Sequence, residues 1–430
     1  MKNLMLKLWL TNTKNFMNKS LLNNFLIVLC KVIFVCSVML VSIVITRVFG
    51  VEKLGLYVTF VLYSGFASLI FLYGNASKVL YYLPGNAEYV VSYLKAIFKN
   101  KLIIASYMML VIVVFSYIIH IKEQEIHLSI IVLTVFSMVS CLTYNSLFLN
   151  VFNSIKQPVK GMLLFQVLPQ LCLIFYVSIF YFFDEVFIHY QFEWLLVASY
   201  LTAIVISLPF ILSSFEIKLT SKYNKLSYFK GSWSYFLGAV SFYLLGNTDL
   251  LIVTRVFGQE QIAAYSLAVK FNSLVLFANV LVNSSFIPNL RVMLKERKSI
   301  KNLIYKYTLL IFLFSIFVSI VVYIPFDFWI GLWDSSLYDY YSTFIILGVA
   351  GIVQSLFILT PACLLCTNRQ KENAKIEFVT FVLNLILSLS LLYFVGVNGV
   401  ALATLISVAI AGIIRSLLLL NIFRSKEVLL

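Results

Sequence analysis

Long apolar runs dominate this sequence, and each is long enough to cross a membrane as a helix. A hydrocarbon core about 30 Å thick needs about 20 apolar residues in an α-helix, whereas a transmembrane β-strand needs only about ten residues of alternating polarity. With 62% hydrophobic and 11% charged residues, the chain has too little polar surface for a soluble particle. The runs cover residues 24–46, 54–74, 102–121, 128–149, 161–183, 193–215, 234–256, 262–287, 302–324, 341–364, 376–395 and 398–421. We therefore predict an all-α integral membrane protein with twelve transmembrane helices.

One short segment occurs at equivalent places in both halves of the chain. The pattern Arg-Val-Phe-Gly-x-Glu-x-x-x-x-Tyr covers residues 47–57 and returns at 255–265, each time closing one apolar run and opening the next. This duplication predicts two six-helix bundles, at 1–220 and 221–430, joined by the polar, lysine-rich link 216–233. Because each half has an even number of spans, we expect parallel copies with a solute cavity on the axis between them, an arrangement typical of transporters.

The charges that give a net charge of +15 are distributed unevenly between the two sides of the membrane. Lysines and arginines concentrate in the loops on the side that holds both termini, and acids predominate in the opposite loops. The positive-inside rule then predicts that both termini are cytoplasmic. The basic loops are expected to contact the lipid bilayer, and no nucleic-acid partner is expected. The first run has no small-residue cleavage pattern behind it, so we expect an anchor rather than a removed signal.

The sequence carries no signature of catalysis or of cofactor binding. Phosphate-binding loops, dinucleotide fingerprints and the H-E-x-x-H pattern do not occur, and the outer loops are short. Cys363 and Cys366 form a C-x-x-C, but no second pair or nearby histidine accompanies them, so we interpret them as packing residues rather than zinc ligands. We expect no enzyme activity, no cofactor and no metal site.

Charged side chains inside the apolar runs are the candidate functional residues, because a charge at mid-bilayer costs about 2.5 kcal/mol or more. Lys31 lies in the first run, and at 100° per residue Asn24 and Ser42 fall on the same side of the helix. This polar stripe predicts that Lys31 lines a substrate cavity. The alternative is that its ammonium group snorkels to the cytoplasmic surface.

Asp249 is the one acid that we assign to the interior of a predicted span. It is expected either to titrate or bind a cation during transport, or to pair with Lys270 or Lys31. Lys270 shares a helix face with serines, while Asn279 and Asn283 line up on the opposite face. Polar residues at such places line a cavity or bridge neighbouring helices, and both interpretations stay open.

Three arginines lie near the ends of predicted helices. Arg415 is a cavity candidate within two turns of the inner end of the last span, where snorkelling is the simpler explanation. Arg47 and Arg255 close the first helix of each half. A local pair with Glu52 and Glu260, or capping of the helix end, is the structural interpretation that we favour.

These features together resemble a known family. The second copy of the repeat is accompanied by Asp249, Lys270 and Ile287-Pro288, and Leu83-Pro84 echoes that dipeptide in the first half. With twelve helices and short basic loops, the chain resembles polysaccharide repeat-unit flippases of the Wzx type, in the multidrug/oligosaccharidyl-lipid/polysaccharide (MOP) exporter superfamily. The resemblance covers nearly the whole chain. It departs from a paired pattern at Val41, which aligns with Asp249.

The resemblance implies a MATE-like MOP transporter fold and a function. It implies a flippase that moves an undecaprenyl-diphosphate-linked oligosaccharide from the cytoplasmic to the outer leaflet of a bacterial inner membrane. The process served would be O-antigen or capsule assembly, together with other polysaccharide assembly proteins. Lys31 and Lys270 would compensate the diphosphate charge, and H⁺ or Na⁺ coupling is left open. The alternatives are a cation-coupled multidrug exporter of the same superfamily and a membrane glycan polymerase, which the short outer loops disfavour.

Overall fold

The described part of the chain is built from helices. A computed structural model describes residues 2–82, 101–124, 126–155, 157–182, 191–214, 232–277, 290, 301–367 and 369–424, and these ranges contain no strand. In hydrocarbon every backbone N–H and C=O needs a partner, and an α-helix supplies these partners within one segment. The predicted all-α class is confirmed.

The helices follow the apolar runs, and short breaks divide several of them. Their bounds are α1 Lys2–Phe49, α2 Val51–Leu72, α3 Asn75–Tyr82, α4 Lys101–Lys122, α5 Leu128–Ser154, α6 Pro158–Met162, α7 Leu168–Phe182, α8 Gln191–Ser214, α9 Trp233–Val256, α10 Gln259–Val275, α11 Lys301–Tyr323, α12 Phe326–Gly331, α13 Tyr341–Phe357, α14 Thr360–Cys366, α15 Gln370–Val395 and α16 Val397–Arg424. A π-helical segment, Leu163–Val167, joins α6 to α7, and a 3₁₀ turn, Ser335–Tyr340, precedes α13.

The number of spans can be compared with the predicted twelve. In the described residues, ten helices are long and apolar enough to cross a membrane, and α9 is an eleventh if its two parts form one span. The first part of α9 is Tyr235–Ser241 and the second part is Gly246–Val256. The remaining predicted span, 262–287, begins in α10 and continues outside the described residues. The count of twelve therefore stays a prediction.

The chain forms two compact units, and neither is one continuous segment. The first comprises Met1–Val48 and Phe60–Leu244, and the second comprises Phe49–Thr59 and Leu245–Leu430. The predicted division at residue 220 falls in 215–231, outside the described residues, and it stays a prediction.

The first unit has an aromatic core. The ring of Phe165, in the π-helical segment, lies 5.7 Å from that of Tyr144 and 5.9 Å from that of Phe148, measured between centroids. Phe152 adds a fourth ring at 5.5 Å from Phe165. Ser207 on α8 donates a hydrogen bond of 3.0 Å to the Tyr144 hydroxyl, which satisfies that polar group in the interior. These contacts hold α5, the π-helical segment and α8 together.

A strained turn in the first unit fixes the start of α9. Tyr73 and Gly74, between α2 and α3, both have positive φ angles, of 48° and 75°. A Cβ at Gly74 would overlap the backbone of Phe236, and the Tyr73 ring stacks on the Phe236 ring at 4.9 Å. Only glycine permits both this φ and this approach.

The second unit groups the helices that carry the candidate site. α15 packs on α16, α16 on α13, and α13 on α10. Phe271 of α10 and Phe344 of α13 pack edge to face at 5.5 Å, and the ring of Trp333 lies 5.7 Å from Phe271. This core fixes α10 against α13, so that polar side chains on α10 have defined neighbours.

The two copies of the repeated segment meet inside the second unit. Gly55 belongs to the first copy, and a Cβ there would overlap the backbone carbonyl of Gln259 in the second copy. The starts of α2 and α10 therefore pack backbone to backbone, which glycine alone allows.

Candidate functional site

A single carboxylate within the second unit collects hydrogen bonds from three other helices. Asp249 lies in the second part of α9, and its Oδ1 accepts from Nδ2 of Asn384 on α15 at 2.9 Å. Its Oδ2 accepts from Oγ1 of Thr404 on α16 at 2.5 Å and from the hydroxyl of Tyr265 on α10 at 3.3 Å. We call Asp249, Tyr265, Asn384 and Thr404 the Asp249 cluster. All its donors are neutral groups.

The surroundings of the cluster add further oxygen atoms. Ser388, one turn along α15, donates to Oδ1 of Asn384 at 2.8 Å. The Thr404 hydroxyl also lies 3.2 Å from the carbonyl oxygen of Val400. Carboxylate, amide, hydroxyl and carbonyl oxygens are the ligands that hard cations prefer, and a carboxylate can also take a proton. The cluster can therefore bind a small hard cation or exchange a proton.

The buried environment of the cluster depends on Tyr265. Its side chain is 0% exposed, and it is the largest fully buried side chain in the described residues. A buried ionised carboxylate needs several donors, and here three are in place. Among the described residues, Asp249 has no basic partner, and the three donors stabilise it.

Lys270 on α10 is not the partner of Asp249. No ion pair joins the two side chains, and Nζ of Lys270 is buried without a hydrogen-bond acceptor among the described residues. The sequence predicts that Asp249 either titrates or binds a cation, or pairs with Lys270 or Lys31. The pair with Lys270 is not formed in this structure. A buried ammonium without an acceptor is costly, and an anion that reaches it would be bound strongly.

The polar stripe on α1 lies in the first unit. Ser42 is fully buried, and its Oγ donates to the carbonyl oxygen of Met39 in the same helix at 2.7 Å. Lys31 is partly exposed. The side chain of Asn24 lies outside the described residues, so the stripe as a whole stays a prediction.

The other site candidates divide into described and undescribed residues. Asn279 and Asn283 lie outside the described residues. Arg415 on α16 forms an ion pair with Glu377 on α15 at 2.5 Å, and its side chain is 12% exposed. In this structure Arg415 thus binds a carboxylate on the neighbouring helix.

The arginines of the repeat lie where the sequence predicts, in the last turns of α1 and α9. Arg255 and Glu260 form no ion pair, although both residues are described. The favourable interaction of a cation with the carboxyl end of a helix is the remaining structural role for Arg255. In the described residues, no group of three or more His, Cys, Asp or Glu side chains is placed to hold a metal ion.

Sequence reasoning found Asp249 but missed its partners. Asn384 and Ser388 are four residues apart in a largely apolar run, which puts them on one face of α15 and was a usable signal. Tyr265 closes the repeated segment, but the repeat alone does not say what the hydroxyl contacts. Thr404 had no signal, because threonines within spans commonly bond to their own helix.

Comparison with known proteins gives a structural likeness only. No protein-family model matches the sequence, and no curated protein sequence matches it. Among solved structures, the lipid II flippase MurJ in an inward closed conformation is 16% identical, with a TM-score of 0.59 over 96% of this chain and 89% of that one. The Vibrio cholerae MATE transporter VcmN in its bent form is 14% identical, with a TM-score of 0.55 over 94% of this chain and 97% of that one.

A third similar structure comes from an archaeon. A MOP superfamily transporter from Pyrococcus furiosus is 12% identical, with a TM-score of 0.56 over 94% of this chain and 95% of that one. A MATE transporter, a MOP superfamily transporter and a lipid II flippase thus share one architecture with this protein, at identities that establish the architecture alone. The predicted fold is confirmed: this chain has the MATE-like fold of MOP superfamily transporters.

Proposed function

We propose that this protein is a cation-coupled flippase for an anionic lipid-linked oligosaccharide. The substrate would be an undecaprenyl-diphosphate-linked repeat unit, moved from the cytoplasmic to the outer leaflet of a bacterial inner membrane for O-antigen or capsule assembly. The observation that carries the proposal is Lys270, whose buried Nζ has no acceptor among the described residues. A diphosphate entering a low-dielectric interior needs such an unneutralised cation.

The Asp249 cluster supplies the proposed coupling site. A proton or Na⁺ would neutralise Asp249, and the donors on α10, α15 and α16 would rearrange around the new charge. The Tyr265 hydroxyl, at 3.3 Å from Asp249, lies on α10, which also carries Lys270 five residues further on. Cation binding at Asp249 would thus act on the helix that presents the proposed anion-binding group.

The similarity to MurJ and the charge of the interior favour an anionic substrate. MurJ is a lipid II flippase, and it shares its fold with this chain. An exporter of organic cations would be expected to present unpaired acids to its substrate. Here Asp249 accepts three hydrogen bonds, while Lys270 is left without an acceptor among the described residues.

Deletion of the gene in a strain that makes a surface polysaccharide tests the proposal. The deletion strain should lose surface glycan and accumulate diphosphate-linked repeat units that remain inaccessible from outside the cell. Complementation with the wild-type chain should reverse both effects. Normal surface glycan, with no retained intermediate, would contradict the proposal.

A multidrug exporter is the second candidate. In such a protein, a carboxylate among oxygen ligands would bind the coupling cation that is exchanged for an organic cation. VcmN, a MATE transporter, has the same architecture. If that candidate were correct, the deletion would increase susceptibility to cationic drugs and leave the polysaccharide unchanged. The two measurements on one strain therefore separate the candidates.

A further inference from the structure

A groove lies between two helices of the second unit, on their lipid-facing side. Its volume is about 320 Å³. The lining includes Ile316, Ser319 and Tyr323 of α11 and Ile345, Gly348 and Ile352 of α13. On each helix these positions follow the spacing of one helix face. The groove therefore runs along both helices for about two turns.

The rim of the groove is apolar and exposed. Ile320 is 50% exposed, Val349 is 42% exposed, and Ile324, just beyond the end of α11, is 77% exposed. These side chains belong to spans, or lie at their ends, so the medium around the groove is the hydrocarbon of the bilayer. An apolar concavity in hydrocarbon is filled by a hydrocarbon chain, because an empty one forfeits dispersion contacts.

One polar group in the lining lacks a partner. The Ser319 hydroxyl donates to the carbonyl oxygen of Ser315 at 2.8 Å. The Tyr323 hydroxyl is buried and has no hydrogen-bond partner among the described residues. A Cβ at Gly348 would overlap the Tyr323 ring, so the glycine makes room for that ring at the groove. An acceptor for this buried phenol is therefore not found in the described part of the chain.

The position of Tyr323 indicates the depth in the membrane at which the acceptor of its hydroxyl lies. Tyr323 is the last residue of α11, and the indole N–H of Trp329, on the next helix, donates to the carbonyl oxygen of Val321 at 3.1 Å. Tyrosine and tryptophan at the end of a span mark the membrane interface. At this depth the chains of glycerophospholipids begin at ester carbonyl groups, which are neutral acceptors.

The charge of the groove lining indicates which class of lipid binds there. The groove lining contains no basic residue. A diphosphate headgroup would need cations near the Tyr323 end, whereas a neutral ester carbonyl needs only one donor. This favours a phospholipid over an isoprenoid diphosphate.

We infer that the groove between α11 and α13 binds one acyl chain of a bilayer glycerophospholipid, whose ester carbonyl accepts a hydrogen bond from Tyr323. This site does not depend on the proposed transport function. It would tie α11 to α13 from the lipid side.

Photolabelling of the full chain tests the inference. The protein is reconstituted in nanodiscs of phosphatidylethanolamine that carries a diazirine in one acyl chain, and labelled peptides are mapped by mass spectrometry. We expect label enriched at residues 316–324 and 345–352 over the other lipid-facing helices. Even labelling of all lipid-facing helices would overturn the inference.

Two matched variants sharpen the test. Val349→Trp fills the groove and should lower the label there about fivefold. Val321→Trp places the same side chain at a position of similar exposure, 44%, on α11 but outside the lining, and should leave the label unchanged. Equal labelling in both variants would contradict the site.

A further variant tests the hydrogen bond from Tyr323 to the lipid ester carbonyl. Tyr323→Phe keeps the ring against Gly348 and should lower the label about two- to tenfold, as expected for one hydrogen bond. With an ether-linked lipid, which lacks the ester carbonyl, wild type and Tyr323→Phe should label equally. Removal of the label by a few mole per cent of a polyprenyl diphosphate lipid would assign the groove to isoprenoids and overturn the inference.

Discussion

Asp249 is a carboxylate that takes its hydrogen bonds from neighbouring helices. An acid inside an apolar run is costly, so the sequence alone marks it as a candidate functional residue. Its partners come from three helices far apart in the chain, and only packing brings Tyr265, Asn384 and Thr404 to its oxygens. The pair with Lys270, one of the two predicted alternatives, is not formed in this structure, where neutral donors bond to the carboxylate.

Thr404 provides a test of the Asp249 cluster at the scale of one hydroxyl. Thr404→Val has nearly the same shape but removes a donor to buried Oδ2, so we expect a loss of about 1–3 kcal/mol in unfolding free energy. Thermal unfolding of the purified protein measures this.

Two further variants control this prediction. Thr404→Ser keeps the hydroxyl and should retain most of the stability and the cation response. Asp249→Asn should abolish any stabilisation of the protein by added Na⁺ or by a change of pH, because the titrating group is gone. If Thr404→Val unfolded at the same temperature as wild type, the hydrogen bond would have no energetic role.

Among the described helices, α9 departs from the uniform rod that the sequence predicts. Apolar length predicted this helix, but its division into two parts has no proline to announce it. The glycine Gly246 begins the second part of α9, and glycines are common at such breaks. At such a break, neighbouring helices satisfy the backbone N–H and C=O groups that have lost their partners within the helix. A single sequence does not reveal which helices these are.

The contact between the starts of α2 and α10 gives a prediction at the scale of elements. Gly55→Ala would drive a Cβ into the backbone of Gln259, and overpacking of this kind costs about 1–3 kcal/mol. We expect a lower unfolding temperature in detergent for this variant.

Gly238→Ala is the matched control, because a Cβ at Gly238 in α9 meets nothing within 4 Å. There the gain in helix propensity should leave stability equal or increase it by about 1 kcal/mol. Equal stability of both alanine variants would mean that the two repeats do not pack as closely as described.

For the whole molecule, the sequence predicts the fold class better than the substrate. The length of the apolar runs led to the all-α membrane class, because it expresses the thickness of the bilayer, and the resemblance to Wzx-type flippases implied the MATE-like fold. The substrate depends on where a few polar groups lie in three dimensions. Lys270 was identified as a candidate, but only the structure reveals that its Nζ has no acceptor among the described residues.

Transbilayer movement of a diphosphate-linked oligosaccharide, measured with the purified chain in vesicles, tests the central claim that Lys270 compensates an anionic substrate. Lys270→Met should lower the rate about ten- to a hundredfold, because one charge-assisted contact contributes about 1.5–3 kcal/mol. The unfolding temperature of this variant should stay equal or rise, since an unpaired buried charge is removed. Lys306→Met, at an exposed position on α11, is the control and should transport at the wild-type rate. Wild-type transport by Lys270→Met would contradict the account.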